Sequence, residues 1–449
     1  MNASVKPPSL LANLTTNLRG DDVAIYRYLD WLEERFDARE PSLHAFLPET
    51  GRFERLKAEA GQVISQYPDP EKRPLLFGLP IGVKDIFHAK GFETHAGSQL
   101  PAQALTGTEA NSVGRLHQAG ALIQGKTVTT EFAYFAPGPT TNPHHAEHTP
   151  GGSSSGSAAA VAAGLSPMAL GTQTIGSINR PAAFCGVVGF KPSYGRVSTA
   201  GVIPLSPSLD HIGYFTPDVL SAAWVAPILV NDWSTAGTKE KSLRYAIPTG
   251  PYLDSTDPEA RHQFEKDITL LRAAGFTVTE IPALLDFDVI VERHNLILAA
   301  EASRVHQSWY ATYTEDYHPK TRDLIRRGNA ISQEDLDAAL PGRAAHRSTL
   351  EELMDEQGVD AWITPSAPGT APEGLDSTGD PVMNLPWTHA GMPTVTLPSG
   401  KSSAGLPFGL QIIARFGRDE PLLTWASQLE SHLEYESMHD LDAFLEGRE

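Results

Sequence analysis

A single cysteine, Cys185, stands in 449 residues. That excludes an internal disulfide framework and any metal cluster built on cysteines. Positive charge is in deficit: 35 Lys and Arg face 54 Asp and Glu, a formal net charge of −19. Such a surface repels nucleic-acid phosphates and anionic membranes, so neither is expected as a partner. No apolar run approaches the roughly 20 residues of a membrane span. The N-terminal stretch MNASVKPPSLLANLTTNLRGDD has one lysine and a short, interrupted apolar run, Leu10 to Leu14. It lacks the apolar centre of a secretory signal, and a cytoplasmic location is expected. Internal repeats and low-complexity linkers are missing too.

What is there is enough for a large core, with 41% hydrophobic residues. Helical spacing marks Asp21–Asp37, where Ile25, Leu29, Leu32 and Phe36 share one face behind an Asp cap. A second amphipathic segment follows Thr50. LLFGLPIGVKDIF (Leu75–Phe87) reads as a buried strand that runs into a loop. SVGRLHQAGALIQGKT reads as a helix closing at Gly120, then a short strand. SAAAVAAG (Ser157–Gly164) is a helix of small residues, suited to close packing. Asp257–Gly275 has an Asp cap, Pro258 in the first turn and a terminal Gly, so both helix ends are signalled. FTVTEI follows as a strand, and alternation of helix and strand is expected to continue to DAWITPS (Asp360–Ser366). EPLLTWASQLESHL (Glu420–Leu433) reads as the last helix. The pattern predicts an α/β fold: a mixed sheet covered on both faces by helices.

Three stretches carry chemistry: PIGVKDIF around Lys84, PGGSSSGSAAA around Ser153, and GTQTIGSINRPAAFCGVVGF around Ser177. Each alone has an ordinary reading, as a solvated strand end, a flexible turn and a helix cap. Together they answer a question that Ser177 raises. No His or Asp lies beside it to take its proton, and a lysine can serve as that base.

The three segments resemble the amidase signature family, in the forms GVKD, GGSSSGS and G-T-x-T-x-G-S followed by RPAAFCGVVGFKPSYGRVS. NLPWTHAGMPTVTLP and GLPFGLQIIARFG extend the similarity over nearly the whole chain. Ser177 lies 24 residues after Ser153, and Lys84 lies 69 before it, spacings that match the family. The resemblance implies one domain over 1–449, a large α/β/α unit with a central mixed sheet. Within it, helices occupy 1–70, the catalytic core 71–230, and the remaining α/β part with pocket-forming helices 231–449. It implies Ser177 as the acyl-forming nucleophile, Ser153 as a bridging serine after a cis peptide, and Lys84 as the base. The backbone N–H groups of Thr174, Ile175, Gly176 and Ser177 would form the oxyanion hole. A lysine acts as a base only when neutral, and the apolar run before Lys84 supplies the desolvation that favours neutrality. The implied activity is hydrolysis of small, largely apolar amides or carbamates, and of aryl esters, with neither metal nor cofactor. The alternative is an amidotransferase subunit that acts with a partner protein. Homodimers are common among relatives, so a homodimer is one state the resemblance admits.

Three positions depart from the commoner family pattern: Gln173 for Asp, Ile175 for Gly, and Asn179 where Arg follows Ser-Ile. The backbone donors survive all three, but the charge behind the nucleophile changes. Candidate pocket walls are Phe132, Tyr134, Phe135 and Thr140, with Trp309 and Tyr310 further along; core packing accounts for such aromatics nearly as well. Rival motifs exist. Ser154 sits in a G-x-S-x-G string, as in the nucleophile elbow of α/β-hydrolase esterases, but a polar segment and not a strand precedes it. His144, Glu147 and His148 fit H-x-x-E-H, yet Pro143 and Pro150 leave no room for the helix that metal binding needs. Cys185 lacks a local partner, and His211 and His389 are expected to pack or cap.

Overall fold

The computed structural model describes residues 9–234 and 243–447. Ten strands form one mixed sheet: β1 (Pro80–Lys84), β2 (Leu122–Thr127), β3 (Ala169–Gln173), β4 (Val188–Lys191), β5 (His211–Thr216), β6 (Arg244–Thr249), β7 (Thr277–Pro282), β8 (Ala361–Pro365), β9 (Thr394–Lys401) and β10 (Pro407–Ala414). Their order is β2-β1-β3-β5-β4-β9-β10-β8-β6-β7. β1 runs parallel to both β2 and β3, and β6 parallel to β7 and β8; the central pairs are antiparallel. All residues of β1, β2, β3 and β8 are buried, as expected where helices cover both faces. The expected α/β architecture is therefore the observed one.

The signalled helices form at Asp22–Leu43, Arg52–Gln66, Asn111–Gln118, Ser155–Ala162, Pro258–Ala273 and Asp419–Glu430. Asp21 and Asp257 cap theirs by accepting from the amides of Val23 and Ala260. Three features differ from the sequence expectation. The interrupted apolar run after Ser9 is a helix, Leu10–Gly20, whose Leu11, Leu14 and Leu18 are fully buried. Burial of each contributes about 1.5–3 kcal/mol, so three leucines on one face hold the segment although Asn13, Thr15, Thr16, Asn17 and Arg19 interrupt its apolar run. Alternation also stops after β7: five helices, from Phe287 to Gln357, come before β8 with no strand between. Finally, a short helix at Leu441–Leu445 follows Glu430, so the helix after Asp419 is not the last.

The helix Ser155–Ala162 positions the site. All eight of its residues are buried, and it packs on β1, β2, β3 and β5. A Cβ on Gly156 would stand 2.1 Å from the Ala45 carbonyl oxygen and 2.5 Å from the Val128 nitrogen. Only glycine permits that approach, and it fixes the start of the helix, and so the loop carrying Ser153, against the end of β2.

Candidate active site

β1 and β3 are parallel neighbours with Val83 opposite Leu170, so their C-terminal ends emerge side by side. Lys84 ends β1, and the turn carrying Ser177 follows the end of β3. This register brings the Lys84 Nζ to 2.7 Å from the Thr172 Oγ1 and 2.7 Å from the Ser153 Oγ. Lys84 is 0% exposed, and among the described residues no carboxylate forms an ion pair with it. Burial holds its pKa well below the ordinary lysine range, opposed by the charge of Asp210.

Ser153 follows a cis peptide bond from Gly152. Arg180, on the helix Asn179–Cys185, donates through Nη2 to the Gly152 carbonyl at 2.5 Å and to Thr378 Oγ1 at 3.0 Å. Its Nη1 donates to the Gly379 carbonyl at 2.6 Å. The helix that begins just after Ser177 thus grips the peptide before Ser153. Ser177 is 8% exposed and lines a small cavity with Tyr134, Phe135, Ile175, Gly176 and Arg180. Its hydroxyl has no hydrogen-bond partner among the described residues. The amides of Ile175, Gly176 and Ser177 likewise donate to no protein acceptor among the described residues.

Behind the turn, two of the departures answer each other. Gln173 Oε1 accepts from the amides of Ile178 (2.7 Å) and Asn179 (2.9 Å). Its Nε2 donates to Asn179 Oδ1 (2.8 Å) and Thr388 Oγ1 (2.9 Å). Thr388 also donates to the Ile175 carbonyl at 2.6 Å. A neutral amide pair fills the buried space behind Ser177, with its polar atoms partnered.

A second cavity, of about 500 Å³, is lined by Ile86, Ala133, Val202, Ile203, Leu205 and Ile212, with Thr172, Thr174 and Asp210 as polar members. Ala133, Thr174 and Leu205 line both cavities, which therefore adjoin. Of the sequence candidates for the pocket, Tyr134 and Phe135 lie at the Ser177 cavity. Phe132 is 1% exposed and stacks among His306, Trp309 and Tyr317. Thr140 is buried and donates to the His44 carbonyl at 2.7 Å. The structure brings neither to either cavity.

The rival groups are held elsewhere. Ser154 is bound to the backbone of Thr172, donating to its carbonyl and accepting from its amide, both at 3.2 Å. His144 donates to the Cys185 carbonyl and His148 to that of Ala371, so the two rings serve separate loops. Among the described residues no group of three or more His, Cys, Asp or Glu is placed to hold a metal ion. The Cys185 thiol faces the Pro150 carbonyl, and burial pushes its pKa up. His211 and His389 are buried, and desolvation lowers both below the ordinary histidine value. No helix among the described residues is long and apolar enough to cross a membrane.

A family model described as Amidase matches residues 32–423. The chain belongs to the amidase signature family. It is 31% identical over 450 residues to a glutamyl-tRNA(Gln) amidotransferase subunit from Koribacter versatilis, covering 89% of this chain and 93% of that one. Among solved structures it matches an amidase with a TM-score of 0.85 and 32% identity, over 95% of this chain and all of the other. It also matches a chain from a vestigial complex linked to the origins of an s-triazine catabolic enzyme, with TM-score 0.81 and 27% identity, covering 93% and 96%. Fold and relatives alike make this amidase-family chain an enzyme.

The residues not read as site members from the sequence are Thr172, Arg180, Asp210 and Thr388. Thr172 was visible inside the G-T-Q-T-I-G-S string. Arg180 stood three residues after Ser177, but its hold on Gly152 and Gly379 required the fold; Asp210 and Thr388 lie far from Ser177 in sequence.

Proposed function

We propose that this enzyme cleaves the C–N bond of small amides through an acyl intermediate on Ser177. The observation that carries the reading is Lys84: a buried amine with two hydroxyl partners and no counter-ion beside it. Such a lysine is disposed to be neutral, and a neutral amine can accept a proton. Ser177 Oγ attacks the carbonyl carbon as its proton passes to Ser153 and that of Ser153 to Lys84. The oxyanion is received by the amides of the 174–177 turn. When the C–N bond breaks, Ser153 returns a proton to the departing amine and is resupplied by Lys84. Water then repeats the sequence and frees the acid, leaving Ser177 and Lys84 as they began.

The apolar walls of the 500 Å³ cavity favour alkyl or aryl groups flanking the bond, in amides, carbamates or activated esters. The amidotransferase relatives favour a second reading more strongly than the free-standing one: amide hydrolysis within a complex, at the service of a partner. With a charge of −19, contact with RNA would fall to that partner.

The test is to assay the purified chain on butyranilide and an aryl carbamate, and on glutamine with and without the other subunits of such an amidotransferase. Aniline release by the chain alone supports the free-standing hydrolase. Ammonia release from glutamine only in the complex supports the partner-dependent reading. Turnover of any of these substrates that survives Ser177→Ala contradicts both.

A further inference from the structure

Asp210 stands just before β5 and faces the same cavity as Thr172 and Thr174. These threonines are two residues apart, and both line that cavity, as i and i+2 positions of an extended chain do. One accepts from Lys84 at 2.7 Å; the other donates through Oγ1 to Asp210 Oδ1 at 2.6 Å. The second carboxylate oxygen of Asp210 accepts from the amides of Leu205 (2.9 Å) and Ser206 (3.1 Å). The Lys84 amine and the Asp210 carboxylate are thus each bonded to one of two neighbouring threonines of this cavity, without touching each other.

We propose that Asp210 is a positioning residue for the reaction at Ser177: its carboxylate, held at the cavity that Thr172 also lines, keeps Lys84 able to take up a proton, and its bond to Thr174 ties the oxyanion turn to the cavity wall at 205–206. The proposal rests on Lys84 being the base. The relay needs Lys84 to take a proton and to give it back. Desolvation alone drives the amine towards permanent neutrality, in which it accepts poorly. A carboxylate at the cavity offsets that by favouring the protonated form. A direct ion pair would go too far and hold the lysine charged.

The other charges nearby leave this role to Asp210. Asp85, next to Lys84 in sequence, is paired with Lys126 at 2.7 Å. Glu301, on the helix Phe287–Val305, accepts from Ser206 and Ser208 and works against ionisation of Asp210. Burial lowers His211, and Lys191 on β4 and Arg343 on the helix Pro341–Gln357 act on it in the same sense. His294 is pushed down to about 3 by burial and carries no charge at neutral pH. Asp210 itself is raised to about 6 by desolvation, against its three hydrogen bonds, so it is a carboxylate above that pH.

Asp210→Asn removes the charge and can keep all three contacts, with Oδ1 turned to the two amides and Nδ2 to the Thr174 hydroxyl. The test is the pH dependence of Ser177 labelling by a fluorescent fluorophosphonate, which needs no knowledge of the natural substrate. In wild type the acid limb should report protonation of Lys84, whose pKa burial holds below the ordinary lysine range. Asp210→Asn should move it down by about one pH unit, and Asp210→Ser, a second neutral variant, should move it the same way. Asp210→Glu, which keeps the charge, should leave it near wild type. Coincident limbs for the wild type and the neutral variants, with Lys84→Ala unlabelled, would overturn this inference and spare the relay. Full labelling of Lys84→Ala would overturn the relay, and this inference with it.

Discussion

Two buried lysines sit on adjacent strands and are treated in opposite ways. Lys126, on β2, forms an ion pair with Asp85 at 2.7 Å and also donates to Thr94 and the Glu93 carbonyl. Lys84, on β1, has two hydroxyls and no acid beside it. Burial lowers both, but at Lys126 the adjacent carboxylate opposes it through charge and hydrogen bond, whereas at Lys84 only the non-contacting Asp210 does. An ion partner favours the charged form of a lysine and so opposes a change of charge. A lysine given only hydroxyls can change charge, and that is what a general base must do.

The two should therefore separate cleanly on mutation. Ser177→Ala and Lys84→Ala are expected to lower kcat/KM on the order of 10³-fold or more, since members of one catalytic unit each abolish its function. Thermal unfolding should show little lost stability in either. Lys84→Arg should fail as well, because a guanidinium stays charged at any working pH. Lys126→Ala should do the reverse. It orphans a fully buried Asp85 and is expected to cost about 3–5 kcal/mol in denaturant unfolding, while the protein that remains folded keeps its activity. Equal stability losses at the two lysines would break the comparison.

The pH dependence of stability sharpens it. In the fold Lys84 loses its proton below the ordinary lysine pKa of about 10.4. Between the folded and unfolded values the unfolded chain binds more protons, so stability rises with pH through that window. Lys84→Met should remove part of this rise. Lys191, lowered to about 7 mainly by burial, contributes in the same sense, so the slope should shrink and not vanish.

A smaller effect is expected behind Ser177. Gln173→Glu places acceptors where Nε2 now donates to Asn179 and Thr388, and should cost about 1–3 kcal/mol. Smallest is Thr172→Val, which deletes one of two Lys84 contacts. A reduction in kcat/KM of about tenfold is expected, equivalent to one hydrogen bond.

Where a residue's role depends on its immediate neighbours in the chain, the sequence was informative. Lys84 closes an apolar strand, and the small residues after Ser153 announce a close-packed helix; both follow from local composition. The sheet class followed from the periodicity of its elements. The groups that act across the fold left no such trace. Arg180 reaches Gly379 across 199 positions, and Thr388 reaches Gln173 across 215. Asp210 meets Thr174 only because β3 and β5 pair antiparallel. The departure at Gln173 read as an altered charge; its meaning as half of a neutral pair with Asn179 required the turn to be folded. Likewise Phe132, an aromatic near the site in sequence, packs with His306 and Tyr317, which the chain adds much later.

The central claim is that Lys84 activates Ser177. Fluorophosphonate labelling, followed by peptide mass mapping, tests it most directly in wild type, Lys84→Met and Lys126→Met at one mildly alkaline pH. The account predicts a single adduct on Ser177 in wild type, an unchanged rate per folded molecule in Lys126→Met, and a rate lowered on the order of 10³-fold in Lys84→Met. An adduct on Ser154, or equal rates in Lys84→Met and wild type, would contradict it.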